Sequence, residues 1–450
     1  MLGAIAEKVI WGLGGLAAAA LALAATVSLA RPAQAADDGV HLGVASCSGS
    51  NCHGSTVPLD ASSVAQNEYT IWSTRDKHRL AYKVLLEDRA IKMAHALGLP
   101  DAKSAPLCLN CHADYVPPER RGREFQLSDG VGCEACHGGA STWLGTHISG
   151  ATHQQNLAAG LYPTEKPVAR AARCLDCHFG NDRQFVDHRL YGAGHPRLSF
   201  EADTFTAAEP AHFIVDKDYV QRKGLITDAQ VWAAGQAVSV TRRMQAVLDP
   251  AHAHEGIFPE FALFECTSCH HAYDSLNAPR PNSIGMGPGT VKFDDANALM
   301  LCIAAAHLAP GASKAISERT VALDHATMEL WPAAEQEAHS LGKIASELAP
   351  ALADHDFTPE GMRAAIGGLI ALGLADEDFS YSHAEQTTMA LEALLSGLQS
   401  AGVIGGTQIQ SIKSAMAGLY EALATPPTFQ PGPYIKALRD FRVAFEGCCR

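Results

Sequence analysis

Apolar residues recur at helical spacing along several stretches of the chain. Between Asp228 and Leu248 they stand mostly three or four positions apart, which predicts a helix over that range. A second stretch, roughly Val64 to Leu97, has a similar character and predicts another long helix. The apolar positions of the first stretch are Val231, Trp232, Ala234, Val238, Met244 and Val247. These patterns favour a mainly α-helical protein.

Residues from about 293 to 450 are rich in alanine and leucine and contain residues that typically begin helices. Thr358 followed by Pro359 is typical of an N-cap with proline at the first helical position. Ser382 and Glu385 match a capping box, and the apolar residues after them form one face of a helix. We predict five or six helices in a C-terminal bundle.

Two other segments divide the chain. Residues 1–35 combine Lys8, a long apolar run and the small-residue sequence that ends at Ala35, which is typical of a secretory signal peptide. The apolar run approaches the roughly 20 residues that span a bilayer, so an uncleaved N-terminal anchor is the alternative. Proline and glycine cluster in residues 278–292 and predict a linker. The chain is thus divided into residues 1–35, a domain over 36–277, the linker 278–292 and a helical domain over 293–450.

The composition is that of an acidic globular protein. Hydrophobic residues make up 47% of the 450 residues and charged residues 18%, which is too apolar for a disordered chain. The formal net charge of −14 argues against nucleic acid and against an anionic membrane surface as partners. A protein partner is therefore expected to present a basic or neutral face.

Eight of the thirteen cysteines form four Cys-x-x-Cys-His motifs. In such a motif the two sulfurs bond to the two vinyl groups of one haem, and the histidine ligates the iron. Zinc is the competing interpretation, but zinc does not require a histidine after every second cysteine. The four motifs comprise Cys108, Cys111 and His112; Cys133, Cys136 and His137; Cys174, Cys177 and His178; and Cys266, Cys269 and His270.

A fifth site lies nearest the N-terminus and has a longer spacing. Four residues separate Cys47 from Cys52, and His53 follows directly, as in the regular motifs. The intervening glycine and serines could bulge out and still leave both sulfurs on one porphyrin edge. The alternative is a small disulfide loop. We predict five covalently attached haems c, or four if this site is not used.

Three cysteines lie outside these sites. A disulfide from Cys302 to Cys448 or Cys449, with one thiol left over, is the simplest prediction, because neighbouring cysteines rarely bond to each other. We assign these residues no function.

The haem irons are expected to have a second axial ligand, and histidine is the best candidate because sixteen of the 21 histidines remain after the motifs are counted. Sequence position favours four of them and leaves the pairing with motif histidines open. The four are His78, His147, His195 and His212, with His188, His252 and His254 as further candidates.

The order of the motifs, and above all the sequence from Gly130 to Gly139 around the third one, resembles the tetrahaem cytochrome c that serves hydroxylamine oxidoreductase in nitrifying bacteria, and its wider multihaem superfamily. The similarity covers roughly Ser46 to His178. It implies that His78 and His147 are distal ligands. It also implies an open sixth position on the iron of His112, which His95 could fill.

This chain departs from that family in its longer first motif, its fifth motif and its C-terminal extension. We predict a mainly α, haem-packed multihaem cytochrome domain with much irregular loop, followed by the C-terminal helical bundle. Its predicted function is periplasmic electron transfer between redox partners, either other cytochromes or a quinol- or substrate-oxidising complex. The alternative is an oxidoreductase that acts on a small nitrogen or sulfur compound at a five-coordinate haem, first of all that of His112. Attachment to the membrane is predicted only if residues 1–35 are retained.

Overall fold

The computed structural model describes residues 39–57, 64–254, 259–270, 290–375, 380–426 and 429–449. The predicted signal peptide or anchor and most of the predicted linker lie outside the described residues. Among the helices of the described ranges, none has the length and hydropathy needed to cross a bilayer.

The described chain is mainly α-helical, as predicted. Its single small sheet is an antiparallel pair, β1 (Gly180–Asn181) with β2 (Gln184–Phe185), and short 3₁₀ turns link several helices. The α-helices are α1 Glu68–Arg75, α2 Asp88–Ala96, α3 Pro106–His112, α4 Cys133–His137, α5 Leu144–Ile148, α6 His153–Ala158, α7 Pro167–His178, α8 His188–Gly192, α9 Ala202–Ala208, α10 Lys217–Lys223, α11 Asp228–Leu248, α12 Pro250–His254, α13 Ala296–Leu308, α14 Pro310–Glu329, α15 Trp331–Asp354, α16 Pro359–Ala375, α17 Tyr381–Ser400, α18 Gly406–Ala422 and α19 Pro431–Cys449.

The helix predicted from Asp228 to Leu248 is confirmed with those bounds as α11. A capping box begins it: the Thr227 hydroxyl accepts a hydrogen bond from the Gln230 backbone N–H, and the Gln230 side chain accepts one from the Thr227 N–H. Most of its residues are buried, and Trp232 is completely so. α11 is therefore a central helix of the fold.

The long helix predicted over Val64 to Leu97 is wrong. The chain there forms α1, two 3₁₀ turns and α2 instead. The break falls at Asp76, whose backbone is extended and whose side chain accepts the backbone N–H of His78. A carboxylate that binds the backbone two residues on competes with helical hydrogen bonding. His78 consequently lies in a 3₁₀ turn, where the ring can be aimed independently of α1.

The C-terminal part, residues 293–450, contains seven helices in its described ranges, more than the five or six predicted. Pro310 and Pro332 stand at the starts of α14 and α15. They divide an alanine-rich stretch that its apolar pattern alone would predict as one longer helix. The predicted cap at Thr358 is confirmed by the 3.2 Å hydrogen bond from the Gly361 N–H to its hydroxyl. The capping box at Ser382 is wrong, because Ser380 caps α17.

One hydrophobic core joins α7, α9 and α11 to the helices α13–α19. α11 and α15 pack closely, since a Cβ on Gly342 would lie 3.1 Å from Cβ of Met244. A buried polar chain accompanies this core: Asn297 donates to Gln236, which donates to Gln386. Residues on both sides of the predicted linker thus share one interior.

The free thiol of Cys302 lies 3.3 Å from both the carbonyl and hydroxyl oxygens of Ser313. The disulfide predicted for Cys302 is therefore wrong. The side chains of Cys448 and Cys449 lie outside the described residues.

We predict that Leu341→Ala, at a fully buried position in α15, destabilises the motif-bearing region and the C-terminal helices together. The substitution should cost about 2–5 kcal/mol and lower the denaturant midpoint. Circular dichroism in the far ultraviolet reports the helices, and in the Soret region it reports the haem surroundings. Both midpoints should fall together, with Val443→Ala on the exposed face of α19 as control. A shift in the far-ultraviolet midpoint alone would mean two independent domains.

Candidate functional site

The second, third and fourth motifs each form the end of a helix, α3, α4 and α7 respectively. One helical turn places residues three apart on the same face, so the two cysteines of each motif are neighbours. The histidine, as the last helical residue, follows the second cysteine directly. The fifth motif forms a 3₁₀ turn over Cys266–Ser268, and the His270 N–H donates to the Cys266 carbonyl at 2.7 Å, closing an equivalent turn.

The first motif reaches the same closure in spite of its two extra residues. The His53 N–H donates to the Cys47 carbonyl at 3.2 Å, as the histidine of the fifth motif does to its first cysteine. The extra residues turn back on themselves, and the N–H groups of Cys52 and Gly54 both donate to the Gly49 carbonyl at 2.9 Å. A Cβ on Gly54 would lie 1.9 Å from the Ser48 carbonyl oxygen, so only glycine fits there. Both thiols are free, which disfavours the disulfide loop.

Each motif histidine lies opposite a histidine from elsewhere in the chain. The ring centroids of every pair are 5.9–6.4 Å apart. The five pairs are His53 with His147, His112 with His195, His137 with His212, His178 with His78, and His270 with His188.

The spacing of the pairs fits one metal ion between two imidazoles. With metal–nitrogen bonds of about 2.0–2.1 Å and each ring centroid about 1.1 Å beyond its nitrogen, the two centroids lie about 6.3 Å apart. The angle between ring planes divides the pairs into two groups. It is 13° for His53 and His147 and 30° for His188 and His270, whereas it is between 76° and 89° in the other three.

Four of these histidines have an oxygen atom beside Nδ1. Glu68 lies 2.9 Å from Nδ1 of His53, and Asp76 lies 3.0 Å from Nδ1 of His78. Backbone carbonyls serve the other two: that of Ala81 at 2.9 Å from His112, and that of Pro196 at 2.7 Å from His195. A metal-bound histidine usually donates its second N–H to such an oxygen, which fixes the ring and leaves Nε2 for the metal.

Burial keeps two of the motif histidines neutral, the form in which imidazole binds a metal. It lowers the pKa of His137 to about 3, with a further contribution from the charge of His212. Burial lowers the pKa of His178 to about 4, and the charge of His78 lowers it further by a smaller amount. Burial also raises the pKa of the Cys136 thiol to about 12 and that of Cys174 to about 11.

All four histidines favoured as distal ligands lie opposite motif histidines. His188 is the fifth, and it ranked below those four as a candidate from its sequence position. Asp187 caps α8, and the His188 N–H donates to Glu260 at 2.8 Å, so the start of this helix is fixed beside the fifth motif. Counting would have found it, because five motif histidines require five partners. His252 pairs instead with Asp249 at 3.1 Å, and the side chain of His254 lies outside the described residues.

The motif of His112, the first suspect for an open iron, also has a facing histidine. His195 provides that ring, at 6.4 Å between centroids. His95, the residue considered from the sequence, has an exposed side chain at the end of α2. Arg89, also on α2, donates two hydrogen bonds to the Gly194 carbonyl and so holds the loop that carries His195.

Contacts between thiols show which motifs are neighbours. The thiol of Cys133 lies close enough to that of Cys47 to lower the pKa of Cys47, and the thiol of Cys177 does the same for Cys111. Cys174 is close enough to Cys136 to raise the pKa of the Cys136 thiol, although burial is the larger cause. The first motif therefore adjoins the third, the second adjoins the fourth, and the third adjoins the fourth.

A buried carboxylate holds the first and third motifs together. Glu134, within the third motif, accepts hydrogen bonds of 2.7 Å from the backbone N–H groups of Leu42, Gly43 and Ala140. Leu42 and Gly43 lead directly into the first motif. A Cβ on Gly43 would lie 2.4 Å from a backbone oxygen of Glu124, and its φ of +92° also requires glycine.

The fifth motif is fixed to α17 by a buried polar cluster. Glu265, just before Cys266, accepts a 2.7 Å hydrogen bond from Ser380. Nε2 of His383 lies 2.6 Å from Asp295, which also pairs with Lys292 at 3.1 Å. Glu265, Asp295 and His383 offer ligand atoms within 4.8 Å of one another. Because Asp295 already has two partners, we interpret the cluster as a joint between the fifth motif and the C-terminal helices.

Comparison with known proteins agrees with the motifs. The family described as cytochrome c554 and c-prime matches residues 46–138. A relative, the C-type polyheme cytochrome OmcC of Geobacter sulfurreducens, is 28% identical over 177 residues, which is 36% of this chain and 20% of the relative. The chain thus spans about a fifth of the length of that relative. No solved structure matches.

The motifs and these matches identify a multihaem c-type cytochrome. The class has covalently bound haem c.

We predict that Glu134→Ala separates the first motif from the third. Hydrogen bonds to a charged group contribute about 1.5–3 kcal/mol each, and the substitution leaves three backbone N–H groups unpaired. The free energy of unfolding should therefore fall by at least about 3 kcal/mol. Denaturant unfolding monitored by Soret circular dichroism measures this. Glu119→Ala, at an exposed position, is the control. Equal midpoints for the two variants would contradict the role assigned to Glu134.

Proposed function

We propose that this protein carries electrons through five haems c, each ligated by two histidines. The observation that supports the proposal most strongly is the set of five histidine pairs at 5.9–6.4 Å, one for every motif. Iron with both axial positions filled changes its geometry little between oxidation states, which suits transfer over catalysis. Two histidines also give lower potentials than a Met/His pair.

The arrangement of motifs supports a continuous path. With haems at these motifs, the proximity of Cys47 to Cys133 and of Cys111 to Cys177 favours thioether edges of the first and third haems side by side, and likewise of the second and fourth. His188 and His195, which face the fifth and second motifs, are both carried by α8 and the loop after it. The fifth haem would therefore lie beside the second, and no haem would be isolated from the others.

The alternative, an oxidoreductase with an open iron, has less support. It requires an iron without a second histidine, and within the described residues each of the five motif histidines has another histidine facing it. The haem of His112 was the first candidate for an open iron, and His195 is the ligand we propose for it.

We further propose that the protein works in the periplasm. Haem c is attached outside the cytoplasm, and residues 1–35 have the sequence pattern of an export signal. The proposed partners are other cytochromes or a quinol- or substrate-oxidising complex. The net charge of −14, which the haem propionates would make more negative, favours partners that dock through a basic face.

Mass spectrometry and spectroscopy of the protein, matured with intact haem-attachment machinery, test the proposal together. We expect the mass of the mature chain plus five haems and a low-spin spectrum that does not change with carbon monoxide. Electron paramagnetic resonance of the oxidised protein should show two low-spin classes, because near-parallel and near-perpendicular imidazole planes split the ferric orbitals differently. A high-spin signal in the unmodified protein would favour the oxidoreductase, and a mass of four haems would remove the first site.

We predict that His188→Ala removes the second axial ligand from one of the five haem irons. The variant should bind one carbon monoxide per molecule when reduced, show one high-spin ferric haem, and lose one signal of the near-parallel class. His252→Ala is the matched control, because His252 pairs with Asp249 and faces no motif histidine. If His188→Ala remains low-spin and indifferent to carbon monoxide, His188 is not a distal ligand.

A further inference from the structure

A cleft lies between the fourth motif, the fifth motif and α17. Its lining includes the apolar side chains of Leu175, Phe179, Phe200 and Phe264, together with two ion pairs, Arg197 with Glu385 and Arg243 with Asp294. The ring of His178 borders it, and so does Cys266. Apolar side chains beside a guanidinium that keeps unused donors suit a flat, apolar ligand that carries a carboxylate.

The two arginines differ in what the polypeptide offers them. Arg197 donates from Nη1 to Glu385 at 2.9 Å and from Nη2 to Ser382 at 3.1 Å. Arg243, on α11, pairs through Nη2 with Asp294 at 3.2 Å, while its Nε and Nη1 are buried without a hydrogen-bond partner. A buried donor without a partner costs about 1–3 kcal/mol, and more on a charged group. Those two donors are therefore available to an acceptor from outside the polypeptide.

Porphyrin chemistry identifies the acceptor. The thioether bonds and the propionates of haem c lie on opposite edges of the ring. His178 lines the cleft whereas its cysteines, Cys174 and Cys177, do not, so a haem at that motif would turn its propionate edge toward the cleft. Cys266 does line the cleft, so the fifth haem would present its thioether edge there instead. Phe200 packs on the His178 ring, with centroids 5.4 Å apart, and continues the apolar wall.

We propose that Arg243 binds a propionate of the haem attached at Cys174 and Cys177, with Nε or Nη1 as the donor. The inference rests on the proposed function, because it requires a haem at that motif. A hydrogen bond from a guanidinium to a carboxylate is charge-assisted, so it is shorter and stronger than a neutral one and would fix the position of that propionate. Arg243 would then be a positioning residue that holds the fourth haem beside the thioether edge of the fifth.

Infrared difference spectroscopy between the reduced and oxidised protein tests the contact directly. Haem carboxylates labelled with ¹³C through labelled 5-aminolevulinate identify the propionate bands. In Arg243→Met, labelled bands of one haem should shift and one of the five midpoint potentials should fall, because a cation beside the propionate is lost. Arg243→Lys keeps the charge and should retain most of the potential. Arg319→Met, which removes an arginine paired with Glu337 on the C-terminal helices, should change neither.

Further measurements separate the possible failures. The mass of each variant counts the haems: a chain without haem at Cys174 and Cys177 contradicts the proposed function at that site. Five haems with unchanged labelled bands in Arg243→Met would overturn the propionate contact alone. If the potentials of the unmodified protein vary with phosphate concentration, a free anion occupies the cleft and the inference is wrong. In the Cys174→Ser/Cys177→Ser background, Arg243→Met should leave the remaining four potentials unchanged.

Discussion

The fold depends on holding pairs of imidazole rings at the distance that one metal ion spans. The two rings of a pair come from separate elements, so each has to be fixed on its own. His78 shows how: Asp76 ends α1, caps the turn that follows and accepts from Nδ1 of the same histidine. One carboxylate thereby sets both the backbone and the ring. Glu68 fixes the ring of His53 in the same way, and the backbone carbonyl of Ala81 fixes that of His112.

The distribution of buried apolar side chains explains why the polypeptide takes this form. The large core runs from α7 onward, whereas the region of the first three motifs has one small cluster made mostly of alanines. That cluster consists of Leu85, Ala90, Ala94, Ala102, Leu109 and Ala113. So little apolar burial stabilises only a small domain, since burial contributes about 25 cal/mol per Å². Porphyrin rings are the missing interior of a multihaem cytochrome, and short helices and loops suffice to enclose them.

Local features were predictable from the sequence and long-range ones were not. Each regular motif is a single turn, and α11 is a continuous helix with a cap, so their residue patterns determine them. The pairing of His112 with His195 depends on how α2 holds a loop far along the chain, which no local pattern records. The break at Asp76 was missed for a related reason, because helical spacing of apolar residues says nothing of a side chain that competes for the backbone. The proximity of the first and third motifs rests on Glu134, and nothing in its position between two cysteines indicates that role in the sequence.

In the proposed array of haems, the path of electrons does not follow the order of motifs along the chain. Thiol contacts join the first haem to the third and the second to the fourth, the third and fourth are neighbours, and α8 joins the second to the fifth. The first haem would therefore be one end of the array, and the fifth, beside both the second and the fourth, would lie at the other. Their cysteines agree with this, since Cys52 and Cys269 are exposed whereas those of the three middle motifs are half-buried. The C-terminal helices contact the fifth motif through Glu265 and Ser380, so a partner at that end would dock beside a rigid helical surface. The longer first motif would mark the opposite end, and its two extra residues turn back without opening the hydrogen bond from His53 to Cys47.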